Sequence, residues 1–124
     1  MRTIGAASVR AIAQMQPQQL ESPIEEMMNV ALKGAGIAAT PQAWIGKHRV
    51  DFLVESRGLR FAIECDGRKF HHLNGEQILR DYQRARALLA QRVMLIRFTG
   101  GEIFSDPHGC ARTVKEIITS LTGE

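Results

Sequence analysis

The sequence predicts an α/β domain in which helices flank a mixed β-sheet, in the order α-β-β-α-β-α. Three observations support this fold class: two neighbouring segments alternate apolar and polar residues, segments on both sides have the helical period, and a short apolar run follows the central helix. The chain has 124 residues, 44% of them hydrophobic and 23% charged, as expected for a single globular domain. We expect residues 1–20 to form a polar N-terminal arm and residues 21–124 to form the domain.

The first helix is predicted to begin at the segment SPIEEMM. Ser22 is suited to the N-cap, Pro23 to the first helical position, and Glu25 to the acidic position of a capping box. Glu25 also borders the apolar stripe of this helix, so the alternative that it faces the sheet stays open. The stripe consists of Ile24, Met27, Met28, Ala31, Leu32 and Ala35. Thr40 and Pro41 are interpreted as the start of a connection to the next strand.

Residues 48–55 and 59–66 are predicted to form a β-hairpin through the turn at residues 56–58. Pairing Glu55 with Arg60 places the apolar residues of both strands on one face, whereas a shift by one residue would bury charges. The shared face would hold Val50, Phe52 and Val54 together with Phe61, Ile63 and Cys65. On the opposite face, Asp51 would lie directly across from Glu64.

A second helix is predicted from about Gly75 to Gln91. Its inner stripe is expected to comprise Ile78, Tyr82, Ala85 and Leu89. Residues 92–98 (RVMLIRF) form a short apolar run typical of a central strand, and the helical crossover predicts that this strand is parallel to the strand before the helix. Asp106 and Pro107 begin the last helix. The aromatic residues Trp44, Phe70 and Tyr82 are expected to serve in packing.

The end of the second hairpin strand carries the candidate chemistry, in the segment FAIECDGRKFHH. Two facing carboxylates repel each other unless a cation lies between them, and Mg²⁺ needs only one or two protein carboxylates in addition to water and substrate phosphate. A purely structural alternative pairs Asp51 and Glu64 with arginines, which would be Arg49, Arg60 or Arg68. Histidines near neutral pH serve as general bases or simply occupy turns, so both roles are open for His71 and His72.

Charge and composition restrict the class of partner only weakly. The formal net charge of +3 and the isoelectric point of about 9.2 are compatible with an acidic polymer such as nucleic acid. The sequence contains no run of about 18 apolar residues and no secretory signal, so we expect no membrane partner and a cytoplasmic location. The two cysteines, Cys65 and Cys110, are expected to be buried thiols.

Five segments together resemble the very-short-patch-repair-like endonuclease family of the PD-(D/E)XK, or restriction-endonuclease-like, superfamily. They are SPIEEMM, HRVDFLV, FAIECDGRKFHH, LRDYQRARALL and RVMLIRFTG, within residues 21–122. The resemblance implies a restriction-endonuclease-like layered fold and Mg²⁺-dependent hydrolysis of DNA, with Mn²⁺ as a substitute. DNA, expected as a duplex, would be the partner. The protein would be bacterial or phage-encoded and act as a homodimer or with a fused or separate specificity subunit.

The resemblance also implies roles for individual residues. Asp51 would be the central metal ligand, Glu64 the second acidic ligand, and Glu25 would hold a metal-associated water. Asp66 and Asp81 would complete the acidic pocket, and His71 would activate water or contact phosphate. The candidates for nucleic-acid contact are Arg68, Lys69, His72 and Arg84. By spacing alone, Asp81 and Arg84 could equally form an ordinary ion pair on the helix surface.

The chain departs from the superfamily pattern at one position. The motif lysine would stand two residues after Glu64, where this chain has Asp66, and Lys69 or His71 would have to replace it. Also, two cysteines so placed could not easily rebuild the structural zinc site of mismatch-repair members. We therefore expect a DNA endonuclease, nicking or cutting both strands, of a restriction, mobile-element or defence system. The alternatives are an inactive nucleic-acid-binding module on the same fold, an RNA-directed nuclease, or a small interaction or toxin-like protein.

Overall fold

The computed structural model describes residues 22–67 and 73–123. Their elements follow the order α-β-β-β-α-β-α-α. In chain order they are α1 (Pro23–Gly34), β1 (Thr40–Ile45), β2 (His48–Ser56), β3 (Leu59–Asp66), α2 (Gly75–Ala90), β4 (Val93–Thr99), α3 (Gly100–Ser105) and α4 (Pro107–Thr122). The predicted α/β class with a mixed sheet between helices is confirmed, with one additional strand, β1, and one short helix, α3. The proposed arm, residues 1–20, lies outside the described residues.

The sheet has four strands in the order β1-β2-β3-β4. β2 pairs with β3 antiparallel in the predicted register, with Glu55 opposite Arg60 and Phe52 opposite Ile63. β4 pairs with β3 in parallel, as the crossover through α2 requires, and Glu64 lies opposite Arg97. Because β3 lies between β2 and β4, its residues 60–63 pair with both strands, while residues 64–66 pair with β4 beyond the end of the β2–β3 ladder.

The larger hydrophobic core fills the space between one face of the sheet and helices α1, α3 and α4. Its fully buried side chains include Met28, Phe52, Phe61, Ile63, Ile103 and Val114. A smaller cluster consists of Ile45, Val50, Ala62, Leu88 and Val93, where α2 covers the sheet. Most of the apolar burial therefore lies on the α1 and α4 side, and the α2 side is left with room for polar groups.

The strand β1 was missed at the sequence level, where its first residues were interpreted as a connection. The segment TPQAWI contains a proline and lacks regular alternation, both of which argue against a central strand. β1 is an edge strand, where proline is tolerated because one side of its backbone needs no partner strand. Gln42 also has a φ of 50°, a conformation uncommon for a residue other than glycine.

The predicted placement of Val50 beside Cys65 is wrong. Val50 packs in the smaller cluster with Ala62 and Leu88, while Phe52 and Val54 lie in the larger core. The ladder between β2 and β3 ends at the pair of Phe52 and Ile63. The regular alternation of β2 is therefore interrupted at Asp51, which lies between the two clusters.

The predicted inner stripe of α2 is also wrong. Tyr82 and Leu89 are 61% and 66% exposed, and Ile78 is 36% exposed, whereas Leu88 is fully buried. The side of the helix that faces the sheet carries Asp81 and Arg84, which are partly buried. Of the predicted stripe only Ala85 is partly buried, and the inward side combines Leu88 with Asp81 and Arg84, whose charges meet charged groups on β3 and β4. Trp44, at 65% exposed, is likewise not a packing residue.

The start of α1 is held close to the ends of β3 and β4. A Cβ atom on Gly100 would lie 2.7 Å from the Ile24 Cδ1 atom and 3.2 Å from the Gly67 Cα atom. Glycine at Gly100 therefore permits a close approach that a larger residue would prevent. This approach brings the first turn of α1, and with it Glu25, to the end of the sheet where β3 ends.

No helix in the part of the chain described, residues 22–67 and 73–123, combines the length and the apolar character needed to cross a membrane.

We predict that Phe52→Ala lowers the free energy of unfolding by about 3–5 kcal/mol, because it removes a fully buried ring from the larger core. Phe104→Ala, which truncates a ring that is 75% exposed, is the matched control and should change it by less than about 0.5 kcal/mol. Urea unfolding of both variants measures the difference. Equal losses would contradict this assignment of the core.

Candidate functional site

A polar pocket of about 310 Å³ lies at the end of the sheet where β2 and β3 carry their acidic residues. It receives residues from five elements, since β1, β2, β3 and β4 meet α2 here. The lining residues are Gln42, Arg49, Asp51, Glu64, Cys65, Asp66, Gly67, Asp81, Arg84 and Arg97. The structure thus brings together five of the residues singled out from the sequence: Asp51, Glu64, Asp66, Asp81 and Arg84.

The Asp51 side chain accepts a hydrogen bond from the backbone of β3, where a regular ladder would use a backbone carbonyl of β2. Its Oδ2 atom accepts a hydrogen bond of 2.8 Å from the backbone N–H of Cys65, beyond the last pair of the β2–β3 ladder. Burial raises the pKa of Asp51, and repulsion from the Glu64 carboxylate raises it further, while the bond from Cys65 opposes the shift. The ionised form of Asp51 is therefore stabilised by one backbone donor but destabilised by a neighbouring negative charge.

Glu64 is buried and is held by an arginine from α2. Arg84 donates to both carboxylate oxygens of Glu64, through Nη1 at 2.7 Å and Nη2 at 2.5 Å. Its Nη2 atom also donates to the backbone carbonyl of Arg49 at 2.7 Å. Such a two-pronged arginine–carboxylate pair fixes orientation as well as charge. The structural alternative of an arginine partner thus applies to Glu64, with Arg84, which was not among the predicted partners Arg49, Arg60 and Arg68, as the arginine that binds it.

A second arginine–carboxylate pair crosses the same pocket, and here the arginine is on a strand and the carboxylate is on α2. Arg97 on β4 donates to both oxygens of Asp81 on α2, at 2.9 Å and 2.6 Å, and this bonding raises the pKa of the Arg97 guanidinium. The Arg97 Nε atom is buried 3.9 Å from Glu64 Oε1 and finds no hydrogen-bond partner among the described residues. Asp81 and Arg84 are thus each bound to a strand residue and do not form an isolated ion pair on the helix surface.

Glu25 reaches the acidic group from α1. It is 5% exposed, and its Oε2 atom accepts a hydrogen bond of 2.8 Å from the Gln42 side-chain amide. Its carboxyl group also lies beside that of Asp51 and interacts with it, so the two acids are direct neighbours. Ser22 caps α1 as predicted, by accepting from the Glu25 backbone N–H.

Three residues of the pocket were missed at the sequence level: Gln42, Arg49 as a lining residue, and Arg97. Gln42 follows a proline in a segment that was interpreted as a connection. Arg97 lies within an apolar strand, where an isolated polar residue is ordinary because successive side chains point to opposite faces of the sheet. The parallel pairing of β3 and β4 could have identified Arg97, because it places this residue opposite Glu64.

Four predicted site residues lie outside the described residues: Arg68, Lys69, His71 and His72. Their proposed contacts with phosphate or water therefore stay predictions. Among the cysteines, Cys110 is buried and Cys65 is half-buried, and both are free thiols. Burial, together with the nearby carboxylates, raises the pKa of the Cys65 thiol well above its ordinary range.

The donor chemistry of the pocket fits a hard divalent cation, because Asp51, Glu64 and Glu25 offer carboxylate oxygens. Within residues 22–67 and 73–123, however, no group of three His, Cys, Asp or Glu side chains is arranged to hold a metal ion. Both oxygens of Glu64 accept hydrogen bonds from Arg84 in this arrangement. A metal would therefore be held by Asp51 first, and by Glu64 only if Arg84 moved away from at least one oxygen.

Comparison with known proteins identifies one family. The model of the family REase_MTES_1575, which is restriction-endonuclease-like, matches residues 25–118, and this range includes every described residue of the pocket. No curated protein and no solved structure matches the chain.

We predict that Asp51→Asn raises the free energy of unfolding near neutral pH when divalent cations are absent. Because the pKa of Asp51 is raised in the folded state, the wild-type protein loses stability as the pH rises from about 4, the ordinary carboxyl pKa, to the folded-state value. The asparagine keeps an acceptor for the Cys65 N–H but carries no charge. Urea unfolding from pH 4 to pH 8 with EDTA measures the gain, which should vanish at the acidic end. A gain that stayed constant with pH would contradict the assigned charge repulsion.

We predict that Arg84→Ala lowers the free energy of unfolding by about 2 kcal/mol, between the small effect of a surface ion pair and the larger effect of a buried one. The loss arises because the buried Glu64 carboxylate is left without its two strongest donors. Arg80→Ala, an exposed arginine of the same helix, is the matched control and should cost less than about 0.5 kcal/mol. Adding Glu64→Gln to Arg84→Ala should recover part of the loss, and additive losses in the double variant would refute this explanation.

Proposed function

Because this chain belongs to the restriction-endonuclease-like family REase_MTES_1575, we propose that it is a nuclease that hydrolyses phosphodiester bonds of DNA with Mg²⁺ as its cofactor. The observation that carries the proposal is that Asp51 and Glu64 line one polar pocket within the matched region, while Glu25 from a third element contacts the pocket residues Gln42 and Asp51. Placing three acids together, two of them buried, is costly for stability, and such an arrangement is typical of a site that acts on a cation or a substrate.

Within the restriction-endonuclease-like superfamily, the five segments quoted from the sequence favour the very-short-patch-repair-like family. The proposed substrate is duplex DNA, and the proposed setting is a restriction, mobile-element or defence system. The support for a polyanionic partner is the net charge of +3, together with the arginines that line the acidic pocket.

Asp51 and Glu64 would hold the cation, and Glu25 would bind a water beside it. When bound, Mg²⁺ supplies positive charge next to the phosphate and makes a water molecule more acidic. The Cys65 N–H fixes the orientation of Asp51, and Gln42 fixes that of Glu25. Because the pKa of Asp51 is raised and a cation binds its ionised form, cation binding is expected to strengthen as the pH rises.

Arg84 has two proposed roles that follow one another. Without substrate it neutralises Glu64, and with a phosphate in the pocket the same guanidinium offers its paired donors to the phosphate oxygens. The movement frees the Glu64 oxygens for the cation. Arg97 lies close enough to Glu64 to preserve part of the charge balance when Arg84 turns away.

One observation favours the second candidate function, an inactive nucleic-acid-binding module on the same fold. Both oxygens of Glu64 are engaged by Arg84, and Asp66 stands where the superfamily has its lysine. Such a module would bind DNA in a salt-sensitive manner and cut none of the substrates offered.

We predict that the wild-type protein converts supercoiled plasmid to nicked or linear forms with Mg²⁺ or Mn²⁺, that EDTA abolishes the reaction, and that Asp51→Asn lowers the rate by at least about 100-fold. The variant is expected to be more stable than the wild type, so a loss of cutting would not be a loss of folding. Agarose electrophoresis over a time course measures the rates, with Phe104→Ala as the control that should cut like the wild type.

Two results would count against the nuclease. Cutting by Asp51→Asn at the wild-type rate would remove Asp51 from the metal site. An absence of cutting by the wild type on duplex, single-stranded, mismatched and RNA substrates, with binding retained, would favour the binding module.

A further inference from the structure

Trp44 is an exposed aromatic residue beside the acidic pocket. It lies on the edge strand β1 and is 65% exposed, although an indole ring is among the largest apolar groups that a protein can bury. In the β1–β2 ladder it lies directly opposite Arg49, whose guanidinium carbon is 5.8 Å from the centre of the indole ring. The ring therefore has a cation beside it, in the range of a cation–π contact.

The pair of Trp44 and Arg49 is connected to the acidic residues by direct contacts. Arg49 lines the pocket, and its backbone carbonyl accepts from the same Arg84 that binds Glu64. Arg49 also precedes Asp51 by two residues on β2, a distance of roughly 7 Å along a strand. A nucleotide whose phosphate lay beside Asp51 would thus place a neighbouring base within reach of the indole ring.

The hairpin that carries Trp44 suits a polyanion. Residues 40–50 contain Lys47, His48 and Arg49 and no acidic residue. The turn packs closely against the end of α2, because a Cβ atom on Gly46 would lie only 3.1 Å from the Gln91 side-chain oxygen. A supported turn holds the aromatic ring in place, which lowers the entropy cost of binding to it.

We propose that Trp44 and Arg49 form a stacking platform for an unpaired nucleobase next to the phosphate bound in the acidic pocket. This proposal rests on the proposed nuclease function and defines its substrate further, as nucleic acid that is single-stranded or locally unpaired at the site of cleavage. Aromatic rings bind bases through their π-faces with little sequence preference, and an adjacent arginine adds a cation–π contribution.

Trp44 is the only tryptophan of the chain, so intrinsic fluorescence reports on this residue alone. The experiment titrates the full chain in EDTA with three probes: a short oligothymidylate, the same backbone without bases, and a blunt duplex. EDTA separates binding from cutting. We expect oligothymidylate to quench Trp44 fluorescence, and the abasic backbone and the duplex to bind, measured by fluorescence anisotropy of a labelled probe, without that quenching.

Trp44→Ala should weaken oligothymidylate binding roughly five- to 150-fold, while affinity for the abasic backbone stays within about twofold. Trp44→Phe should retain most of the affinity because it preserves an aromatic face. Phe104→Ala, which truncates another exposed ring, is the matched control and should bind like the wild type. Thermal unfolding of each variant checks that the hairpin is intact.

The outcomes separate the two proposals. If oligothymidylate binds without quenching and Trp44→Ala binds as tightly as the wild type, the platform is refuted while the nuclease function stands. Quenching by the duplex equal to that by oligothymidylate also refutes it, since no unpaired base would be needed. If none of the probes binds, both the platform and the nucleic-acid function fail. Quenching that requires bases, together with weaker binding of oligothymidylate by Trp44→Ala, supports the platform even if no condition produces cutting.

Discussion

Three neighbouring carboxyl groups at one end of a small sheet, two of them buried and one half-buried, are the constraint on which the site geometry depends. Asp51, Glu64 and Glu25 come from a strand, its hairpin partner and the first helix, and each would be destabilising without a donor. The donors are a backbone N–H, a glutamine amide and an arginine, and each belongs to a different part of the fold. The edge strand, the inward polar side of α2 and the interrupted β2 ladder are all accounted for by these requirements.

One face of the sheet holds most of the hydrophobic core, and the other face holds the charged residues of the candidate site. Helices α1, α3 and α4 cover the face that holds the larger core, including Phe52 and Phe61, and this core supplies most of the apolar burial. On the other face, α2 presents charged residues to charged residues on β3 and β4. A protein that concentrates its hydrophobic packing on one side can keep a destabilising cluster of charges on the other, which is the usual balance between stability and activity.

Arg49 connects the pocket with the hairpin that carries Trp44. Arg49 belongs to both, since its side chain lies by the indole ring and its carbonyl accepts from Arg84. A phosphate bound near Arg84 and a base stacked on Trp44 would therefore lie beside two arginines, Arg84 and Arg49, that are in contact with each other. This continuity gives the nuclease proposal a substrate geometry: charge recognition at the acids, and aromatic recognition one step away.

The amino-acid sequence by itself determined the α/β class, the register of β2 and β3 from the turn to the pair of Phe52 and Ile63, and the parallel pairing of β4, because local alternation, turn residues and crossover rules decide these features. It did not determine β1, whose proline and irregular backbone at Gln42 are tolerated only at a sheet edge. Nor did it determine which side of α2 faces inward. Periodicity locates apolar residues along a helix, but it does not show which groups of the sheet the helix will meet. Here Asp81 and Arg84 face the sheet because Arg97 and Glu64 lie across from them. Only the tertiary structure brings these four charges together, since ion pairs between α2 and the strands join residues that are far apart in the chain.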